Sequence, residues 1–463
     1  MVSLFHSSCV RAAALAAALV LTGCGGGGGD SVAPPPPAAP AIVTFAADRD
    51  RYFVGETAQL TPRFSGGTAR IEPDIGPVSD GARVTTPVLS EGRSFRLIVE
   101  GPGGRAVREL EIEVGHRDRY VSVGSLLATQ HEAVAMPDGA VLIIGGSRAE
   151  GVLSHRITRF DPQSRSLQEF GLLQIGRADH RATLLADGSV LVTGGEASLP
   201  GAERIERIDP RTGIAGAAGT LVSKRSSHTA TRLADGRVLI TGGYSSGAAS
   251  VLDHVELWDP MTQTSRLLPA RMATPRAAHT ASLLADGRVL IVGGYAPPGP
   301  SYVLAEIFDP RRESFTAVIA PVGVTDRMRL MHSAHAQPDG GILIVGGEHY
   351  DHATGVSSPL AEVLRYDPAS GRIAASGALL GPRSAVVGDR IGSRVLLFGG
   401  LGANDTRLAD AELVEPGRPA RPLAALPGKR AWHTATRLSD GRVLIVGGED
   451  DQRNYVPSVI LYE

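Results

Sequence analysis

Apolar and polar residues alternate along this chain in two ways. In Glu109–Val114, Leu110, Ile112 and Val114 fall on one side and Glu109, Glu111 and Glu113 on the other; Phe95, Leu97 and Val99 repeat the pattern. A period of two is that of strands with one buried face. In His279–Gly294 two apolar runs flank Asp286-Gly287, and the second run ends in Gly293-Gly294. Asp-Gly between β-type runs predicts a two-residue hairpin, because a type I′ turn needs φ > 0 at both central positions.

The second pattern repeats. Gly-Gly closes an apolar run at 145, 194, 242, 293, 346, 399 and 447, at intervals of 49, 48, 51, 53, 53 and 48 residues. A period near 50 with four short strand signals per unit predicts a propeller. Each unit carries a first strand beginning near His, an Asp-Gly turn, a second strand ending in Gly-Gly and a loop of variable length. A third strand follows and ends in a motif such as Phe160-Asp-Pro, Trp258-Asp-Pro or Tyr366-Asp-Pro, degraded to Val414-Glu-Pro in the sixth unit. With its Arg-x-x-His, Gly-Gly and aromatic-Asp-Pro landmarks, the region 119–463 resembles the kelch repeat, which implies a seven-bladed kelch-type β-propeller. The sixth unit has neither the His nor the Asp-Gly turn. The seventh stops after its third strand, at Ser458–Tyr462. Residues 119–127 stand where other units have their fourth strand, so they are expected to close the last blade; otherwise the ring would end in unpaired edges.

The N-terminal part reads differently. Arg11 precedes an apolar run too short to span a bilayer, followed by Leu21-Thr-Gly-Cys24. This resembles a bacterial lipobox and implies a lipoprotein signal peptide over 1–23, lipid attachment at Cys24 and, with Gly25 next, the outer membrane. Residues 24–40, rich in Gly and then Pro, are expected to form a tether. The alternating strands of 41–115, separated by Gly-rich turns, predict a small β-sandwich. Tyr52–Leu60 and Glu72–Pro77 resemble bacterial immunoglobulin-like domains. The whole chain is thus expected to be all-β.

Antiparallel order puts the Asp-Gly and Asp-Pro turns on one uniform face and the loops after each Gly-Gly on the other. Variable loops on a rigid scaffold are where binding usually sits. Candidate contacts there are Glu196, Tyr244, Tyr295, Glu348 and Glu449. The Arg-x-x-His arginines, Arg177, Arg225, Arg276, Arg329 and Arg430, with Arg383 lacking the His, could form a basic ring at the channel mouth suited to carboxylates. The kelch resemblance supports a ligand role for them. Their recurrence fits ties between neighbouring loops better still, and the recurrent His reads as a repeat contact. His349, Asp351 and His352 could ligate a divalent metal, although their spacing matches no known site and no metal is expected.

A formal net charge of −2 and 5% aromatic residues leave no basic, stacking surface for nucleic acid. The two cysteines are Cys9 and Cys24, which excludes disulfides and thiolate zinc sites in the mature domains. It also excludes the Tyr–Cys cofactor that resemblance to galactose oxidase-like enzymes would imply. No catalytic constellation or cofactor motif is evident. The expected function is that of a monomeric, lipid-anchored envelope or cell-surface protein binding a glycan or protein ligand. The alternatives are a sugar-processing enzyme of mutarotase, epimerase or lyase type, with its site at the channel mouth, and a scaffold of an envelope complex.

Overall fold

The computed structural model describes residues 38–148, 151–196, 200–245, 250–298, 302–320 and 328–463. The signal segment, Cys24 and the tether up to residue 37 lie outside them. The described elements are strands, apart from one short 3-10 turn at Ala403–Asp405. No helix among the described residues is long and apolar enough to cross a membrane.

Residues 41–115 fold into a three-stranded sheet, Ala41–Ala47, Gln59–Ser65 and Val84–Thr85, facing a five-stranded sheet built around Arg93–Gly101 and Gly104–Gly115. The alternation sets the core: Phe95, Leu97 and Val99 are fully buried with Tyr52, Leu60 and Ile71, while Glu109, Glu111 and Glu113 face solvent. With no thiol available, packing alone holds this unit, at about 1.5–3 kcal/mol for each large apolar side chain buried.

Beyond it lie seven four-stranded antiparallel sheets among the described residues. One of them comprises Thr280–Leu283, Val289–Val292, Ala305–Asp309 and Ser314–Ala317. The first strands of the sheets touch one another in succession, and that of the last, Thr434–Arg437, returns to that of the first, Glu132–Ala135. Both faces of each sheet therefore meet a neighbour. That is why second strands such as Val238–Thr241, Val289–Val292 and Val443–Val446 are apolar at nearly every position and buried throughout.

The Asp-Gly turn departs from the type I′ expectation. Only the glycine is left-handed, Gly287 at φ 87°, and Asp286 has no positive φ. The amide of Gly287 donates to Leu284 O at 2.9 Å and that of Leu284 to Arg288 O at 2.8 Å, which makes a longer loop with a glycine bulge. The aspartate is retained for its side chain, which accepts the Arg288 amide at 3.0 Å.

The outer strand of the last sheet comes from the start of the region. Tyr120–Ser125 pairs antiparallel with Ser458–Tyr462, with Tyr120 opposite Tyr462. Tyr462 is buried against Tyr120 and Phe398, and its hydroxyl donates to Asp118 Oδ1 at 3.0 Å. The N-terminal unit sits on the end of the sheets that carries the Asp-Gly turns. His116 Nε2 meets Gly441 O at 3.1 Å, Arg437 Nη2 donates to Ser90 O at 3.2 Å and the Gly392 amide to Glu91 Oε2 at 3.1 Å.

Candidate binding face and channel mouth

The repeated Arg, His and Gly-Gly interlock consecutive sheets. The second glycine of each pair donates its amide to the carbonyl of the next sheet's arginine, or of Ala128 where the last sheet meets the first: Gly195 to Arg225 at 3.0 Å, Gly243 to Arg276 at 2.8 Å, Gly294 to Arg329 at 2.7 Å. The first glycine lies under the next histidine. A Cβ on Gly194 would come within 2.5 Å of His228 Cε1, and one on Gly293 within 2.6 Å of His332 Cε1. His131, His228, His279 and His332 also bond back to the preceding sheet, His279 Nε2 to Thr241 Oγ1 at 2.9 Å and His332 Nε2 to Thr280 Oγ1 at 2.8 Å.

Each arginine then turns its guanidinium into its own sheet. Arg225 Nη1 donates to Gly242 O at 2.7 Å and Nη2 to Glu256 at 2.6 Å; Arg276 Nη1 donates to Gly293 O at 2.5 Å and Nη2 to Glu306 at 2.9 Å. Arg177 pairs with Glu206 at 3.0 Å, Arg329 with Glu362 at 2.5 Å and Arg383 with Glu412 at 2.6 Å, whereas Arg430 donates to Ser458 Oγ at 2.7 Å. All six arginines are at most 2% exposed. Burial lowers the pKa of Arg177, Arg225, Arg329 and Arg383, and brings Arg430 to about 10. The basic ring expected for Arg177, Arg225, Arg276, Arg329, Arg383 and Arg430 is therefore internal. It is a set of ties between sheets and offers no charged surface to a ligand.

Sequence reasoning did not single out the partner acids. Glu206, Glu256 and Glu306 stand three residues before the Asp of each Asp-Pro, and Glu412 three before Glu415. That recurrence was the signal available. These carboxylates also cap loop amides, Val222 to Glu256 at 2.7 Å and Ala273 to Glu306 at 2.8 Å.

The five loop candidates occupy one structural position, the residue after Gly-Gly. There Tyr244 bridges to Ser226, Tyr295 to Ala277, Glu348 to Leu330 and Glu449 to Ala431, as Ser147 does to Thr129 and Leu401 to Ser384; Glu196 holds the same place in sequence. Their side chains differ in availability. Glu449 is taken by buried Arg407, and Glu348 accepts Ser357 Oγ at 3.0 Å. Tyr244 and Tyr295 are half-buried, with ring centroids 6.0 Å apart.

Inside this rim the chain pinches the channel. Gln130, Asp179, Ser227, Ala278, Met331, Ala385 and Trp432, one per sheet, are left-handed at φ 47–59°. Backbone bonds run between them: Asp179 N to Gln130 O at 3.3 Å, Ser227 N to Asp179 O at 3.2 Å, Ala278 N to Ser227 O at 2.9 Å. A cavity of about 480 Å³ opens at this level, lined by Glu132, Asp179, Arg181, Tyr244, Met331 and Trp432 among others. Arg181 links three sheets, donating to Glu132 Oε1 at 2.5 Å and to His228 O at 2.8 Å. Burial pushes the Glu132 and Asp179 carboxyls above the usual range against the pull of Arg181; Asp179 adds to the rise at Glu132, and Glu196 to that at Asp179. Neither acid was read from the sequence: the residue after the His is Glu only at 132 and Thr in three other first strands, and the residue before the His differs in every unit.

The segment 348–359 is a two-stranded hairpin, Glu348–Asp351 with Val356–Pro359. Asp351 caps its turn, accepting Ala353 N at 2.9 Å and Thr354 Oγ1 at 2.8 Å. His352 Nε2 meets Ala296 O at 2.8 Å, and its ring lies against Tyr295 and Tyr350. Among the described residues, no group of three or more His, Cys, Asp or Glu is placed to hold a metal, His349, Asp351 and His352 included.

No family model and no curated protein matches this sequence. Among solved structures, one titled "Structure of YjhT" is similar, with a TM-score of 0.51 at 16% identity, covering 65% of this chain and 99% of that one. At that identity the likeness is one of fold, and it agrees with a β-propeller of four-stranded antiparallel sheets.

Proposed function

We propose that this chain is a lipid-anchored envelope or cell-surface binding protein. It is a seven-bladed kelch-type propeller carrying a small immunoglobulin-like sandwich, and it takes a glycan or protein ligand on its variable-loop face. The observation that carries this reading is the seat of the N-terminal unit on the Asp-Gly face, through His116, Ser90 and Glu91. A chain anchored at Cys24 reaches the propeller from that side, so the variable loops and the channel-mouth cavity point away from the membrane. The uniform face is partly covered, and the face free to meet a partner is the one whose residues differ from blade to blade.

A second reading has its own support. Glu132 and Asp179 are two half-buried carboxyls with raised pKa at one cavity, and such groups serve acid–base chemistry on sugars. The full-length protein offered a panel of glycans, with binding and product formation both followed, separates the two. Saturable binding with no product is expected. Turnover abolished by Glu132→Gln or Asp179→Asn would replace the binding reading with a mutarotase, epimerase or lyase.

A further inference from the structure

Three consecutive sheets contribute one continuous aromatic surface to the variable face. Tyr244 and Tyr295 lie 6.0 Å apart between ring centroids, Tyr295 and Tyr350 5.7 Å, and His352 sits 5.2 Å from Tyr350 and 5.6 Å from Tyr295. The tilts between neighbouring tyrosines, 39° and 58°, leave them unstacked on one another. The strip is built rather than incidental. Tyr244 and Tyr295 are fixed by backbone bridges to Ser226 and Ala277, Tyr350 by the hairpin, and His352 by its bond to Ala296 O. One end of the strip, Tyr244, is also a wall of the channel-mouth cavity.

We infer that this strip, Tyr244–Tyr295–Tyr350 with His352, stacks an oligosaccharide whose terminal residue enters the cavity beside Glu132, Asp179 and Arg181. The inference rests on the binding reading above and names the ligand class for it. Pyranose rings present apolar C–H faces and a rim of hydroxyls. Tyrosine supplies a flat apolar face with a polar tip to match both. The cavity holds two carboxyls against one guanidinium, and that guanidinium already donates to Glu132 and to His228 O. Its surplus is of acceptors, so it recognises hydroxyl or ammonium donors. Neutral and amino sugars fit, whereas a uronate would bring a third carboxylate to the site. A proline-rich peptide also favours aromatic grooves, but its terminal residues have few donors to match these acids.

The test is calorimetric titration of the full chain with four probes: a chitosan tetramer, a cellotetraose, a tetragalacturonate and a proline-rich decapeptide. The chitosan or cellotetraose probe should bind, and tetragalacturonate more weakly. Tyr295→Ala and, on the separate hairpin, Tyr350→Ala should each weaken binding by about tenfold, with Tyr295→Phe close to the parent. Preference for the uronate or for the peptide overturns the inference. So does unchanged affinity in both Ala variants with native circular dichroism. Sugar binding lost in Asp179→Asn but indifferent to both tyrosines sinks the strip and leaves the loop-face reading standing. A variable face that captures neither sugars nor peptides removes both.

Discussion

The carbonyl of Arg276 accepts the amide of Gly243 from the preceding sheet at 2.8 Å. The same residue sends its guanidinium into its own sheet, to Gly293 O at 2.5 Å and Glu306 at 2.9 Å. One residue thus joins two sheets, with its charge sealed from water. Removing one partner of a buried pair leaves the other uncompensated, at a cost of about 3–5 kcal/mol. Arg276→Ala is therefore expected to lower stability by that order in urea denaturation. Combining it with Glu306→Leu should restore part of the loss. A surface-like effect below about 1 kcal/mol would contradict a structural role.

Ring closure gives the next expectation. The last sheet takes its outer strand from Tyr120–Ser125, and the amide of Gly448 reaches Ala128 O at 3.1 Å. Replacing Tyr120–Ser125 by a Gly-Ser linker of equal length keeps the connection and removes the strand. It exposes the Ser458–Tyr462 edge and Tyr462 itself. Loss of a single cooperative melting transition is expected; an unchanged transition would mean that the ring closes by other contacts.

These two relationships show what the sequence made legible. The sheets were readable because both of their faces are buried, so second strands such as Val289–Val292 carry a continuous apolar run between fixed punctuation. Arg276 and its counterparts were readable as a repeat but not as buried, since charge alone points outward until a partner is known. The partner, Glu306, lies 30 residues away on another strand. Glu132 and Asp179 could not be read at all. They follow and precede His131 and His180 at positions where the other units vary, and only the pinching of seven first strands brings them to one cavity.

Acid should destabilise the ring. Burial holds His131 at about 4 and His180, His332 and His433 at about 3, with His228 and His279 well below their usual value. The unfolded chain takes up these protons near pH 6.5 and the folded chain does not. Between about pH 6.5 and 3 the unfolded state binds more protons, so stability falls as pH falls. Glu132, Asp179, Asp389 and Glu412, raised by burial, act in the opposite sense, since protonation relieves their buried charge. His180, with both ring nitrogens unpartnered, isolates the effect. His180→Leu should flatten the slope of unfolding free energy between pH 6 and pH 5 by up to about 1.4 kcal/mol per pH unit. An identical slope in parent and variant would show that His180 titrates normally.

Two glycines of one hairpin separate backbone strain from contact between sheets. Both are left-handed, Gly287 at φ 87° and Gly293 at φ 67°. A Cβ on Gly287 meets nothing within 4 Å, whereas one on Gly293 would lie 2.2 Å from Arg329 O and 2.6 Å from His332 Cε1. Gly287→Ala therefore carries conformational strain alone, about 1–2 kcal/mol. Gly293→Ala carries the same strain and also drives the next sheet's arginine and histidine away, which should take the loss beyond about 3 kcal/mol. Thermal melting of the two variants side by side reads the difference. Equal losses would mean that Gly-Gly is kept for its turn geometry; the larger loss at Gly293 assigns it to the seam between the sheets.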